Sequence, residues 1–112
     1  MTESEFEQLA DAALASLESA LERAADSGAL DLDVQRKGAG LLEIEFENGS
    51  RIVINRHGAA REIWVAARSG GFHFGHDGTG WRATRDGSEL FSAVSKLVSE
   101  QGETPVLLRP ER

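Results

Sequence analysis

The sequence contains no cysteine. Disulfides, thiolate metal sites, cysteine nucleophiles and cysteine-ligated clusters are thereby excluded. No apolar run approaches the length of a membrane span. The acidic N-terminus fits neither a secretory signal nor a transit peptide. At 112 residues, a single domain covering residues 1–112 in the cytoplasm is expected. Basic residues are scarce at one end. Among the first 33 residues Arg23 is the one base, against nine carboxylates: Glu3, Glu5, Glu7, Asp11, Glu18, Glu22, Asp26, Asp31 and Asp33. That stretch carries a net −8 and the remainder +1, which together give the net charge of −7. There is no basic footprint for phosphates, so nucleic acid is not an expected partner, and neither is a membrane. An acidic face suits something positive, either metal cations or a basic protein surface.

Residues 4–25 predict a helix. Phe6, Leu9, Ala13, Leu17, Ala20, Leu21 and Ala24 recur at helical spacing as one apolar stripe. Thr2 and Glu5 fit a capping box, and Ser27-Gly28 ends the helix. Alternation then predicts strands around Leu30–Val34, Leu42–Phe46, Ile52–Ile54 and Ile63–Ala67, each with one buried face. A three-residue loop, Glu47 to Gly49, pairs Ile44 with Ile52 and keeps the apolar faces together, with Gly49 left-handed. A Ser69-Gly70 turn would align Ala67 with Phe72 and Val65 with Phe74, leaving His73 outward and diagonal to Trp64. A short strand at Trp81–Thr84 follows. Asp86-Gly87-Ser88 opens a second helix, with Leu90, Phe91, Val94, Leu97 and Val98 on one face and Gly102 at its end. Thr104–Leu108 is an apolar tail able to fill a gap at the core edge. The order implies an α+β fold: a two-layer α/β sandwich with both helices on one face of an antiparallel sheet.

Glu7, Asp11, Glu18, Glu22 and Asp26 fall on one flank of the first helix. Asp31 and Asp33 share the outward face of the next strand, roughly 7 Å apart. Exposed carboxylates of this kind bind hard cations with modest affinity and poor selectivity. From charge alone, a solvated helix face is the simpler explanation. Against it stand three like-charge pairs at i,i+4, Glu7–Asp11, Glu18–Glu22 and Glu22–Asp26, each costing about 0.2–0.5 kcal/mol. Asp26 also sits at the unfavourable end of the helix dipole. Such uncompensated cost is typical of a functional site.

Trp64 points outward among Asn55, Ala66 and His73. It is either a partner patch or is covered by a neighbouring loop or strand. His57, His73 and His76 lack metal-ligand spacing, and His76 in its Gly-rich loop reads as solvated. Glu43, Glu45 and Glu47 read as ordinary cross-strand partners of Arg51. Gly75, Gly78 and Gly80 do not make a phosphate loop. No activated nucleophile or acid–base pair is visible, so an enzyme is not expected.

Four segments resemble the frataxin family, and its bacterial branch in particular: SEFEQLAD (Ser4–Asp11), GLLEIEFENGSRIVIN (Gly40–Asn55), EIWVAARSGGFHF (Glu62–Phe74) and Trp81 with Arg85-Asp86-Gly87. The chain departs from that pattern at His57-Gly58-Ala59-Ala60, where a Gln and a Pro are common, and at Ser19, Ala24 and Ala25, where acids occur. The resemblance implies two helices packed on an antiparallel sheet. It implies weak binding of ferrous or ferric iron through an acidic ridge on the first helix and first strand, Glu7, Asp11, Glu18, Glu22, Asp26, Asp31 and Asp33. It also implies docking on the cysteine desulfurase and iron–sulfur scaffold complex through Glu18, Glu22, Asp26, Asn55, Trp64 and His73. The expected function is an iron-binding adaptor or regulator of iron–sulfur cluster assembly, monomeric when metal-free. Iron oxidation or storage, and an acidic interaction module with incidental metal binding, are the alternatives.

Overall fold

The structure is a computed structural model that describes residues 1–110. Helix α1 spans Glu3–Asp26. Its start is the expected capping box: the Thr2 hydroxyl accepts from the Glu5 N–H at 3.1 Å, and the Thr2 N–H donates to the Glu5 carboxylate at 2.8 Å. It ends where expected, with Ser27 as cap.

The buried face of α1 differs from the predicted stripe. Phe6, Ala10, Leu14, Leu17, Ala20 and Leu21 are buried. Leu9 is exposed, and Ala13 and Ala24 are half-buried. Apolar residues from Leu9 to Leu14 offer two adjoining faces, and the sheet takes the one containing Leu14. That is the side of the stripe that carries Asp11 and Glu18. The choice turns these two acids toward the sheet.

Six strands follow: β1 Leu32–Lys37, β2 Leu41–Phe46, β3 Arg51–His57, β4 Glu62–Ala67, β5 Gly70–His76 and β6 Trp81–Ala83. They form one antiparallel sheet in sequential order. Leu42, Ile44, Phe46, Ile52, Ile54, Ile63, Val65 and Phe74 point into the core. The β2–β3 loop is the expected one. Ile44 pairs with Ile52, and the Phe46 N–H donates to the Ser50 carbonyl at 2.9 Å. Gly49 has φ +86°, a conformation that disfavours any side chain.

The β4–β5 hairpin is shifted by two residues from the expected register. Ala67 pairs with Gly70, Val65 with Phe72 and Ile63 with Phe74. Both registers keep the same faces buried, so alternation does not separate them. The two-residue loop, Arg68-Ser69, wins. Its Arg68 N–H is held at 3.0 Å by the buried side chain of Gln101. One consequence is that His73 lies directly opposite Trp64, not diagonal to it.

Helix α2 spans Leu90–Gly102, later than expected. Asp86 closes its own turn on the Ser88 N–H and hydroxyl, and Glu89 is the N-cap, accepting from Phe91 and Ser92. Leu90, Val94, Leu97 and Val98 are buried, whereas Phe91 is half-buried. The tail fills the core edge: Leu108 is buried, and its N–H donates to the buried Ser95 hydroxyl at 2.8 Å. Helix α1 lies over β1, β2 and β3, and α2 lies against β6. Both cover the inner face and share one core. The outer face of the sheet has no covering layer among the described residues.

Candidate metal and partner surfaces

The acids predicted as one ridge divide into two groups. Arg56 reaches from the end of β3 to Asp11, and Arg36 reaches from β1 to Glu18 at 3.1 Å. Both arginines stand on the inward side of their strands, beyond the last apolar residue of each. Gly40 makes room for one of them: a Cβ there would lie 2.9 Å from Arg56 Cγ and Nε. Asp11 and Glu18 are therefore each paired with an arginine, which sets them apart from the other acids of the expected ridge. No local spacing reveals either pair, because each joins elements far apart in sequence.

Glu7, Glu22, Asp26 and Asp31 are exposed and make no ion pair among the described residues. Glu22 and Asp26 are a turn apart on the last part of α1. Five residues on, Asp31 precedes β1 and is therefore off the strand face it was expected to share, whereas Asp33 lies within the strand; both are exposed. Asp33 accepts from Gln35 at 3.1 Å and sits opposite Glu45 on β2, a like-charge cross-strand pair. Glu45 reaches Arg51 at 3.9 Å. Glu43, however, pairs with Lys37 on β1 at 3.0 Å, and this partner holds its carboxyl below its ordinary pKa. Glu47 is in the turn, so Arg51 does not serve all three acids. Asp31 also lines a cleft of about 500 Å³ with Glu47 and Glu103.

Among the described residues, no three Asp, Glu or His side chains come close enough to hold one metal ion. The acids can offer a cation one or two carboxylates at a time, without a preformed cage. Oxygen ligands of this kind are the ones hard cations take.

The second surface is on the open side of the sheet. Asn55, Trp64 and His73 lie side by side across β3, β4 and β5. Trp64 is half-buried, but not by a loop or by β6. The rings of His57 and His73 stack on it, at centroid distances of 3.7 and 4.4 Å. The indole N–H donates to Glu62 at 2.8 Å. His57 and Glu62 are additions to the expected patch. The signal was strand parity: His57 shares the face of Asn55, and Glu62 that of Trp64. His76 differs from its expected solvated state. It packs edge-on against Trp81 at 5.1 Å, and its Nδ1 accepts from the Gly78 N–H.

The frataxin-like domain model matches residues 1–104. The chain belongs to the frataxin family. The iron–sulfur cluster assembly protein CyaY of Janthinobacterium sp. (strain Marseille) is 53% identical over 110 residues, which are 97% of each chain. That of Dechloromonas aromatica (strain RCB) is 51% identical over 109 residues, 97% of this chain and all of the other. Among solved structures, the frataxin of Psychromonas ingrahamii superposes with a TM-score of 0.77 at 30% identity, covering 95% of this chain and 96% of that one. The trimeric yeast frataxin from Saccharomyces cerevisiae, complexed with ferrous iron, superposes with a TM-score of 0.72 at 24% identity, covering 85% and 86%. These frataxins share the arrangement of two helices on one antiparallel sheet.

Proposed function

We propose that this chain is an iron–sulfur cluster assembly protein that acts without catalysing a reaction of its own. In this reading it is a monomeric cytoplasmic adaptor. It takes up iron weakly at the exposed carboxylates and docks on the cysteine desulfurase and scaffold complex. The observation that carries the reading is the unpaired row Glu22, Asp26 and Asp31, continued by Asp33, at the α1–β1 corner. Glu22 and Asp26, one helical turn apart, repel each other, and no ion pair among the described residues engages Glu22, Asp26 or Asp31. Asp11 and Glu18 are secondary, since a cation there must compete with an arginine. Glu7 stands apart near the N-terminus. The assembly role named for the CyaY relatives supports the pathway, and the ferrous complex of the yeast frataxin supports the metal.

Iron oxidation fits less well. It needs carboxylates that clamp two irons together, and the described acids form no such group. The test is binding to immobilised cysteine desulfurase, with and without ferrous iron and across a salt series. Changing Glu22 and Asp26 to Lys should slow association, and wild-type affinity should fall as salt rises. Oxygen uptake with ferrous iron, if catalysed, would favour oxidation instead. Docking that ignores iron would favour a plain interaction module. Docking unchanged in the Lys variant would remove the acids from the interface.

A further inference from the structure

Trp64 stands on the uncovered face of the sheet, yet every group through which an indole usually recognises a partner is already engaged. His57 comes from β3 and His73 from β5, the two strands that flank β4. Their imidazoles therefore take opposite faces of the ring. Both stack nearly parallel to it, with interplanar angles of 10° and 9°. The indole N–H is committed to Glu62 Oε1 at 2.8 Å, and His73 Nδ1 lies 3.5 Å from the same oxygen. His57 is held in its turn: its Nδ1 accepts from the Ala60 N–H at 3.3 Å, across the β3–β4 turn. What remains for a partner is the rim of the ring.

We infer that the docking partner meets Trp64 edge-on, in an apolar slot that offers no acceptor to the indole N–H, and that His57 and Glu62 are positioning residues that hold the ring in that attitude. The inference rests on the reading of this face as a docking surface. A partner arginine cannot lie over the indole, because both π-faces are covered. A free tryptophan on a sheet would sample several rotamers and lose that freedom on binding. Here the ring is fixed before the encounter, so less is lost when the complex forms.

The test combines the free protein with dissociation from immobilised cysteine desulfurase. In the free protein, the Trp64 indole N–H should give one sharp NMR signal that exchanges slowly with water. Replacing Trp64 by benzothienylalanine keeps the bicyclic ring, with sulfur where the N–H was, and so loses only the donor; dissociation should stay within about threefold of wild type. Trp64→Ala should dissociate about 10-fold faster or more. His57→Ala should broaden the indole signal and speed dissociation about 10-fold. His57→Phe should restore both, because it stacks without carrying a charge. Glu62→Ala removes the acceptor and should broaden the indole signal and speed its exchange with water, Glu62→Gln should restore both, and a Glu62→Ala signal like that of wild type would deny Glu62 a positioning role. If the benzothienylalanine protein dissociates as fast as Trp64→Ala, the partner reads the N–H and the inference is wrong. If His57→Ala binds like wild type while Trp64→Ala does not, the stack has no positioning role. If Trp64→Ala itself leaves dissociation unchanged, the docking reading fails and takes the inference with it. Backbone spectra of each variant report whether the fold is intact.

Discussion

Removing charge at the end of α1 should stabilise the protein while weakening its response to iron. The perturbation is Glu22→Gln with Asp26→Asn, both at exposed positions of the helix. Glu22 faces Glu18 four residues before it and Asp26 four residues after. Each like-charge pair costs about 0.2–0.5 kcal/mol. The Glu18 pair falls at the low end, because Arg36 already neutralises Glu18. Asp26 closes the helix, where a negative charge meets the negative end of the dipole at about 0.3–1 kcal/mol. Together the double variant should gain about 1 kcal/mol. For a chain of this size that is a rise of about 4 °C in melting temperature at low ionic strength. Salt should shrink the gain by screening. Iron should act in the same direction on the wild type. An ion that binds only the folded state adds about 1.4 kcal/mol at ten times its dissociation constant. The double variant should lose at least half of that iron-dependent rise. Anaerobic thermal melts, with and without ferrous iron, measure both quantities. A variant that melts at or below the wild type, or that responds to iron just as strongly, would refute the reasoning.

Three further outcomes follow from other parts of the molecule. Gly40→Ala should push Arg56 off Asp11, since the added Cβ would lie 2.9 Å from that side chain; the loss should be at most about 1 kcal/mol, and iron titration should show stronger binding as Asp11 is freed. Gln101→Leu should cost about 1–3 kcal/mol in urea unfolding, because Gln101 is buried and bridges the Arg68 N–H, the Ser50 hydroxyl and the Arg51 carbonyl. Asp77 accepts from the N–H groups of Thr79 and Gly80 and from the Thr79 hydroxyl, and these bonds hold its carboxyl far below the usual range, with Arg82 assisting. A lowered native pKa stabilises above the unfolded value of about 4 and is lost as pH falls from there toward the native value. Asp77→Ala should therefore be less stable than wild type at pH 7 and approach it in acid, whereas a difference independent of pH would contradict this.

Much of the fold was legible because alternation and helical spacing report burial directly. The faces of β2, β3 and β4 followed from Leu42, Ile44, Ile52, Ile54, Ile63 and Val65. The Asn48-Gly49 loop followed from parity. The β4–β5 register did not, since a shift of two residues leaves every side chain on its own face. The buried side of α1 was ambiguous because Leu9 and Leu14 bracket two usable faces, and only the sheet below selects between them. The same selection brought Asp11 and Glu18 to Arg56 and Arg36. The candidate site was thus legible as a set of acids but not as a set of unpaired acids. Trp64 was recognisable as outward-facing. Its covering by His57 and His73 required the cross-strand register.

The most direct measurement is a backbone NMR titration with ferrous iron under anaerobic conditions. Broadening or shifts should appear first at Glu22, Asp26, Asp31 and Asp33, with Asp11 and Glu18 responding only at higher iron because arginines hold them. Changes centred on His57, His73 and His76, or changes spread evenly over all the acids, would contradict this order.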